Sequence, residues 1–409
     1  MTNYFSHTLP CGLRIVHKPS ISNVSYAGFI IEVGTRDESD DQFGMAHFIE
    51  HMLFKGTKKR TSRHIINRIE SVGGELNAYT NKEETVLYSI FLENDFDRAF
   101  ELMADMILNS DFPQAEIDKE VDVIIDEIHS YEDNPSELIF DEFENLLFSN
   151  TQLGHNILGS EESLKIFDTA NAKQFFEQYY KAGNMVFFSM GNTNFEKIVK
   201  TAEKFFTGNK PGKTMTMRSI PLSQPIVPQR IRETKETSQV HAVLGSRSYD
   251  FHHQKRSVLY LLNNILGGPC MNSRLNLSLR EKKGYVYNVE SNMTSYSDTG
   301  IFSIYFGSDK RNLEKCLKLV NKELETIRNI KLTDTQLSAA KKQLLGQIGI
   351  SSDNNENVVL ALGKSYLHHN HFDSFEETAA RINNVTQNDL LEVANEILSP
   401  DKIFSLIYC

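Results

Sequence analysis

His47, Glu50 and His51 fall within the pentapeptide His47-Phe48-Ile49-Glu50-His51. On a helix the two histidines stand at i and i+4, one turn apart on one face, so both imidazoles can reach a single cation. Glu50, three residues after His47, borders that face. The order H-x-x-E-H is the inverted zincin motif. Two neutral imidazoles and one carboxylate bind Zn²⁺ and leave its fourth position to water, the arrangement of a catalytic rather than a structural site. A third ligand must come from elsewhere. Glu127 is the best candidate, because the predicted helix over 113–132 carries Glu120 and Glu127 seven residues apart, two turns along one face. The expectation is one Zn²⁺ per chain held by His47, His51 and Glu127. Glu50 then moves the proton of the attacking water, and Glu120 orients a histidine or steadies the ligand helix. His64, His129, His155, His252, His253, His368, His369 and His371 have no paired carboxylate at a ligand spacing and read as surface or core residues.

The elements that must position these groups are set by periodicity. Segments 12–17 and 23–34 alternate as strands do, and a helical stretch runs from about Asp41 to Phe54. A helix at 62–72 closes on Gly73-Gly74, and the strands ELNAYTN and TVLYSIFL come next. Helices succeed them at about 94–109, 113–132, 136–148 and 170–181, then a strand at 185–191 and a helix after Asn194. This fills a first α+β domain over 1–207. Residues 208–228, rich in Pro and Gly and without periodicity, read as a linker. A second α+β domain occupies 229–409.

The second domain repeats the first. MAHFIEHMLFKG (45–56) lines up with RSVLYLLNNILG (256–267), LYSIFLEND (87–95) with IFSIYFGSD (301–309), and AEIDKEVDVIIDEI (115–128) with TQLSAAKKQLLGQI (335–348). The fold class is therefore α+β, two homologous domains from an internal duplication, each a mainly antiparallel sheet packed with helices. Opposite His47, Glu50, His51, Glu120 and Glu127 the copy has Val258, Leu261, Leu262, Ala340 and Gln347. The scaffold does not need those polar groups, so they belong to a site confined to the first domain.

Composition bounds the rest. The chain has 409 residues, 43 Lys+Arg against 54 Asp+Glu, a net charge of −11, 40% hydrophobic residues and four Cys. Collagen-like, disordered and disulfide-stapled classes are excluded. Cys11, Cys270, Cys316 and Cys409 form no C-x-x-C pair, which suits a reducing compartment. The N-terminus lacks the marks of a signal or transit peptide, and no apolar run approaches the roughly 18 to 20 residues of a membrane span. The expectation is a bacterial cytoplasmic protein without membrane insertion, or a mitochondrial matrix protein if a transit peptide has been removed. Between Glu93 and Glu144 stand 18 Asp/Glu and only two basic residues, Arg98 and Lys119. Such a field repels nucleic acid and attracts cationic peptides.

Four blocks in order, GMAHFIEHMLFKGT (44–57), GGELNAYTNKEETVLY (73–88), EVDVIIDEI (120–128) and LGGPCMNSRLNLSLREKKGYVYNVES (266–291), resemble the pitrilysin/insulinase-type zinc metallopeptidases. Within them the chain is similar to the half-length group that includes the mitochondrial processing peptidase β subunit and its bacterial homologues. The resemblance implies zinc on His47, His51 and Glu127, Glu50 as general base and Glu120 as the supporting acid. It implies further that Asn77 and Ala78 lie on an edge strand to which the substrate backbone pairs, and that Arg280 and Tyr287 hold substrate or transition state. LGGPCMNSRL is not the Gly-rich loop of the processing peptidase's non-catalytic subunit, so the chain resembles the catalytic type. Full-length relatives enclose a chamber with two double-domain halves, and this chain supplies one. The resemblance thus implies a homodimer, or a heterodimer with an inactive homologue; the expected reaction is cleavage of extended peptides, with the acidic first domain favouring basic, presequence-like ones. The rivals are a non-catalytic structural or assembly subunit, as in respiratory-complex core proteins, and a peptidase subunit active only with a partner.

Overall fold

The computed structural model describes residues 4–209, 212, 218 and 227–409, and most of the segment read as a linker lies outside them. In chain order the strands are β1 Phe5–Thr8, β2 Arg14–Pro19, β3 Val24–Ile31, β4 Glu75–Thr80, β5 Thr85–Leu92, β6 Met185–Gly191, β7 Arg230–Glu233, β8 Val240–Ser248, β9 Val286–Ser295, β10 Gly300–Ser308 and β11 Phe404–Tyr408. The helices are α1 Met45–Leu53, α2 Ser62–Glu70, α3 Phe96–Asn109, α4 Gln114–Glu132, α5 Pro135–Leu147, α6 Glu161–Leu164, α7 Thr169–Tyr179 and α8 Phe195–Phe206. They continue with α9 Arg256–Gly267, α10 Leu313–Asn329, α11 Asp334–Ser351, α12 Asn355–His369, α13 Phe375–Asn384 and α14 Gln387–Ile397. Among the described residues no helix is long and apolar enough to cross a membrane.

Two compact units result. The first comprises residues 1–129, 155–217 and 351–374, and the second 130–154, 218–350 and 375–409. The units are thus not contiguous halves of the chain: the segment carrying α5 joins the second unit and the segment carrying α12 joins the first.

In the first unit six strands are ordered β1-β2-β6-β3-β5-β4. All neighbours are antiparallel except β2 and β6. One face carries a cluster of phenylalanines: Phe187 on β6 lies 5.0 Å from Phe29 on β3 and 4.8 Å from Phe100 on α3, ring centre to ring centre. The other face is covered by α12, whose Val359, Leu362, Tyr366 and Leu367 pack with Val16, Ile30, Val186 and Phe188. The helix comes so close that a Cβ built at Gly363 would stand 2.6 Å from the Phe188 ring. Gly363→Ala is therefore expected to destabilise the protein by about 1–3 kcal/mol through forced overpacking. A thermal melt checks this, and an unchanged midpoint would mean that α12 is not seated on β6.

The second unit has five strands in the order β7-β11-β8-β10-β9, with β7 and β11 parallel and the remaining neighbours antiparallel. This repeats the β2-β6-β3-β5-β4 order of the first sheet strand for strand, as an internal duplication requires. On one face Ile139, Phe143 and Leu147 of α5 pack with Val243, Leu406 and Tyr408. The Tyr408 and Tyr296 hydroxyls donate to Glu142 and Glu144, and Arg247 donates to the Leu147 carbonyl at 2.6 Å and 2.9 Å. The opposite face holds the larger core, in which α9, α10 and α14 pack on the sheet.

The elements agree with the periodicity except in details that have physical reasons. The helix expected from Asp41 begins at Met45, because Gly44 takes a left-handed φ of 93° and breaks the run. A Cβ at Gly44 would also meet the Leu158 carbonyl oxygen at 2.8 Å. β1 has no signal in the sequence, since its four residues are exposed and carry no alternation of burial.

Candidate metal centre

α1 is a short helix that is almost wholly buried, and its polar residues are held in place from its N-terminal end. Glu38 accepts hydrogen bonds from the Gly44 and Ala46 amides at 2.9 and 2.7 Å, satisfying donors that a helix start leaves unpaired. His155 Nε2 lies 3.0 Å from the same carboxylate, and its ring stacks on Phe43 with centres 4.1 Å apart. Burial raises the Glu38 carboxyl well above the usual carboxylate range, partly offset by the two amides.

Thus anchored, α1 turns His47 and His51 toward α4, with ring centres 4.5 Å apart. Glu127 Oε2 of α4 lies 3.9 Å from His47 Nε2 and 3.6 Å from His51 Nε2. Zn–N and Zn–O bonds of about 2.1 Å at tetrahedral angles would separate ligand atoms by roughly 3.4 Å, so small side-chain adjustments would close the trio around an ion. The three ligand atoms lie within 4.8 Å of one another. Burial, and then the neighbouring His51, hold the His47 imidazole down at about 3, which keeps it neutral as a ligand must be.

Glu120 occupies the inner side of the same helix. It bonds His51 Nδ1 at 2.9 Å and Lys55 Nζ at 2.5 Å, leaving His51 Nε2 facing Glu127. Burial pushes the Glu120 carboxyl up, but the bonds from His51 and Lys55 outweigh it and the net displacement is downward. For His51 burial acts downward, and Glu120, Glu50 and Glu127 together raise it. A carboxylate on the far nitrogen of a metal-binding histidine fixes its tautomer and orientation.

Glu50 is 9% exposed, and its Oε2 is buried without a hydrogen-bond partner. Burial raises its carboxyl, while the neighbouring Thr80 pulls it partway back. Thr80 ends β4, so Glu50 lies beside the strand that carries Asn77 and Ala78. That strand lies at the edge of its sheet and pairs only with β5 among the described residues, Asn77 opposite Tyr88 and Ala78 opposite Leu87. The turn after it is held by ion pairs. Glu83 meets Arg36 at 2.6 Å, and the buried Glu84 meets Lys364 and, at 2.8 Å, His368 of α12.

The structure therefore brings His47, Glu50, His51, Glu120 and Glu127 into one cluster in the first unit. In the second unit it pairs the other two predicted residues with each other: Arg280, on a π-helical turn at Asn276–Glu281, has its guanidinium carbon 6.0 Å from the ring centre of Tyr287. Tyr287 is 84% exposed. Sequence reasoning missed Lys55, although i+4 from His51 was a readable signal. It also missed Thr80, Glu38 and Tyr180, a buried tyrosine whose ionisation burial and the Glu50 charge oppose. No one-dimensional signal joins those to the motif.

The duplicated α+β fold thus carries a His-His-Glu trio that could hold a metal, with a buried glutamate beside it. Residues 14–161 match the family model described as Insulinase (Peptidase family M16), and residues 167–344 match the Peptidase M16 inactive domain. The uncharacterized zinc protease YmxG of Bacillus subtilis is 31% identical over 98% of this chain and 97% of its own. An uncharacterized zinc protease of Streptomyces coelicolor is 32% identical over 98% and 88%. Among solved structures, a protease from Helicobacter pylori superposes with a TM-score of 0.92 at 21% identity, covering all of both chains. This chain belongs to the insulinase family of peptidases, M16.

Proposed function

We propose that the protein is a zinc-dependent endopeptidase acting on extended peptides, with Glu50 as general base. The observation that carries this reading is the His47, His51 and Glu127 trio beside a buried Glu50 whose Oε2 has no partner. His47 Nε2, His51 Nε2 and a Glu127 carboxylate oxygen would hold the zinc. Lewis acidity toward water and a peptide carbonyl is the chemistry that ion would supply. Glu50 Oε2 takes a proton from the attacking water and hands it to the leaving amine, a task suited to a carboxyl raised toward neutrality. Glu120 keeps His51 oriented. The edge of β4 at Asn77 and Ala78 offers unpaired backbone groups to an extended substrate. Arg280 and Tyr287 supply donors for the substrate or the developing oxyanion. The family resemblance extends the reading to a chamber closed by paired chains, a homodimer or a heterodimer with an inactive homologue.

The acidic stretch between Glu93 and Glu144 favours basic, presequence-like peptides. An Arg-rich peptide is expected to be cleaved with kcat/KM about tenfold above that of a neutral peptide of equal length, a margin that shrinks with added salt. Mass spectrometry of the products checks both. No cleavage of either by zinc-loaded protein would favour a non-catalytic or partner-dependent subunit.

A further inference from the structure

The second unit contains a groove of about 1540 Å³ between α10 and the strands β7 and β11, remote in chemistry from the acidic metal centre. Seven Lys/Arg and two Glu line it, although the chain as a whole carries a net charge of −11. Lys315, Lys318 and Lys322 stand at i, i+3 and i+7 on the exposed side of α10, where like charges at such spacings repel. Arg230, Lys283, Lys318 and Lys322 have no carboxylate partner among the described residues, whereas Arg232 meets Glu314 at 2.8 Å. The floor is apolar, with Leu317, Leu319 and Tyr285 partly exposed in it. One wall is β7, an edge strand that pairs only with β11 among the described residues.

We propose that this groove is a docking site for an extended acidic peptide segment, separate from the metal centre and independent of the peptidase reading. Three features select that occupant. An edge strand has backbone donors and acceptors that only another peptide backbone can continue as a strand. Acidic side chains at alternate positions of an extended peptide recur every 6.6–6.8 Å, roughly the 6 Å axial rise between Lys318 and Lys322 on their helix. The partly exposed Leu317, Leu319 and Tyr285 accept the intervening apolar side chains, which a polyphosphate or nucleic-acid backbone would leave uncovered.

The test uses full-length protein carrying Glu50→Gln, so that no peptide is consumed. The probe is a fluorescein-labelled ten-residue peptide of alternating Glu and Leu, followed by fluorescence anisotropy. Binding is expected to weaken by at least tenfold in K318E/K322E and also in K283E, whose substitution lies on a different element, with zinc content and melting temperature kept. The alternating Lys and Leu peptide, which the metal centre would also take, is expected to bind the parent and K318E/K322E alike, so the loss in the variants reports the groove. Three results would overturn the proposal: affinity unchanged by both variants, equal affinity for a peptide with Ser in place of Leu, or inorganic polyphosphate binding the groove as tightly as the peptide. Self-association of the parent that is lost in K318E/K322E would equally overturn it, by making a second copy the occupant.

Discussion

Glu50→Gln is expected to lower peptide hydrolysis by about 10²- to 10⁴-fold while the protein keeps one zinc ion per chain. The amide has nearly the shape of the carboxylate and fits the same buried place. What is lost is the ability of Oε2 to accept a proton, and the metal ligands lie on other residues. Activity on the basic peptide and zinc by atomic absorption, measured on the same preparation, give the two readouts. Glu50→Gln protein that loses its metal would make Glu50 a ligand, and full activity would move the general base elsewhere.

His51→Ala and Glu127→Ala are expected to lose both zinc and turnover. Each removes one of the three proposed ligands, and Glu127 is the carboxylate nearest both imidazole Nε2 atoms. Glu120→Gln should fall between these and the parent. It touches His51 Nδ1 and Lys55 but not the metal position, so a loss of roughly 10- to 100-fold in zinc affinity fits its place behind the histidine. Metal titration across the series checks the order. Zinc retained at full affinity by Glu127→Ala would exclude α4 as the source of the third ligand.

Much of this centre was legible because its spacing is local. His47 and His51 share a helical face at any tertiary arrangement, and so do Glu120 and Glu127. Their uncharged counterparts Val258, Leu261, Leu262, Ala340 and Gln347 in the second half showed, without coordinates, that the polar set is not needed for folding. The repeated strand order of the two sheets has the same origin, since each half carries the same succession of periodic segments. Less legible was the helix start at Met45. It depends on Glu38, whose carboxylate reaches forward to the Gly44 and Ala46 amides from outside any regular element.

The α+β class, the duplication and the five polar residues of the candidate metal centre can be read along the chain, because helix and strand periods and i, i+4 spacing are properties of neighbours. Folding alone sets Glu127 opposite both imidazoles and places α12 over the first sheet and α5 over the second. α5 and α12 each bury one stripe of residues, and apolar residues on a helix specify that it be buried but not against which sheet. That choice is made by side-chain fit, Gly363 against the Phe188 ring on one sheet and tyrosine hydroxyls to Glu142 and Glu144 on the other. Such fit between residues far apart in the chain has no counterpart in the spacing of neighbours.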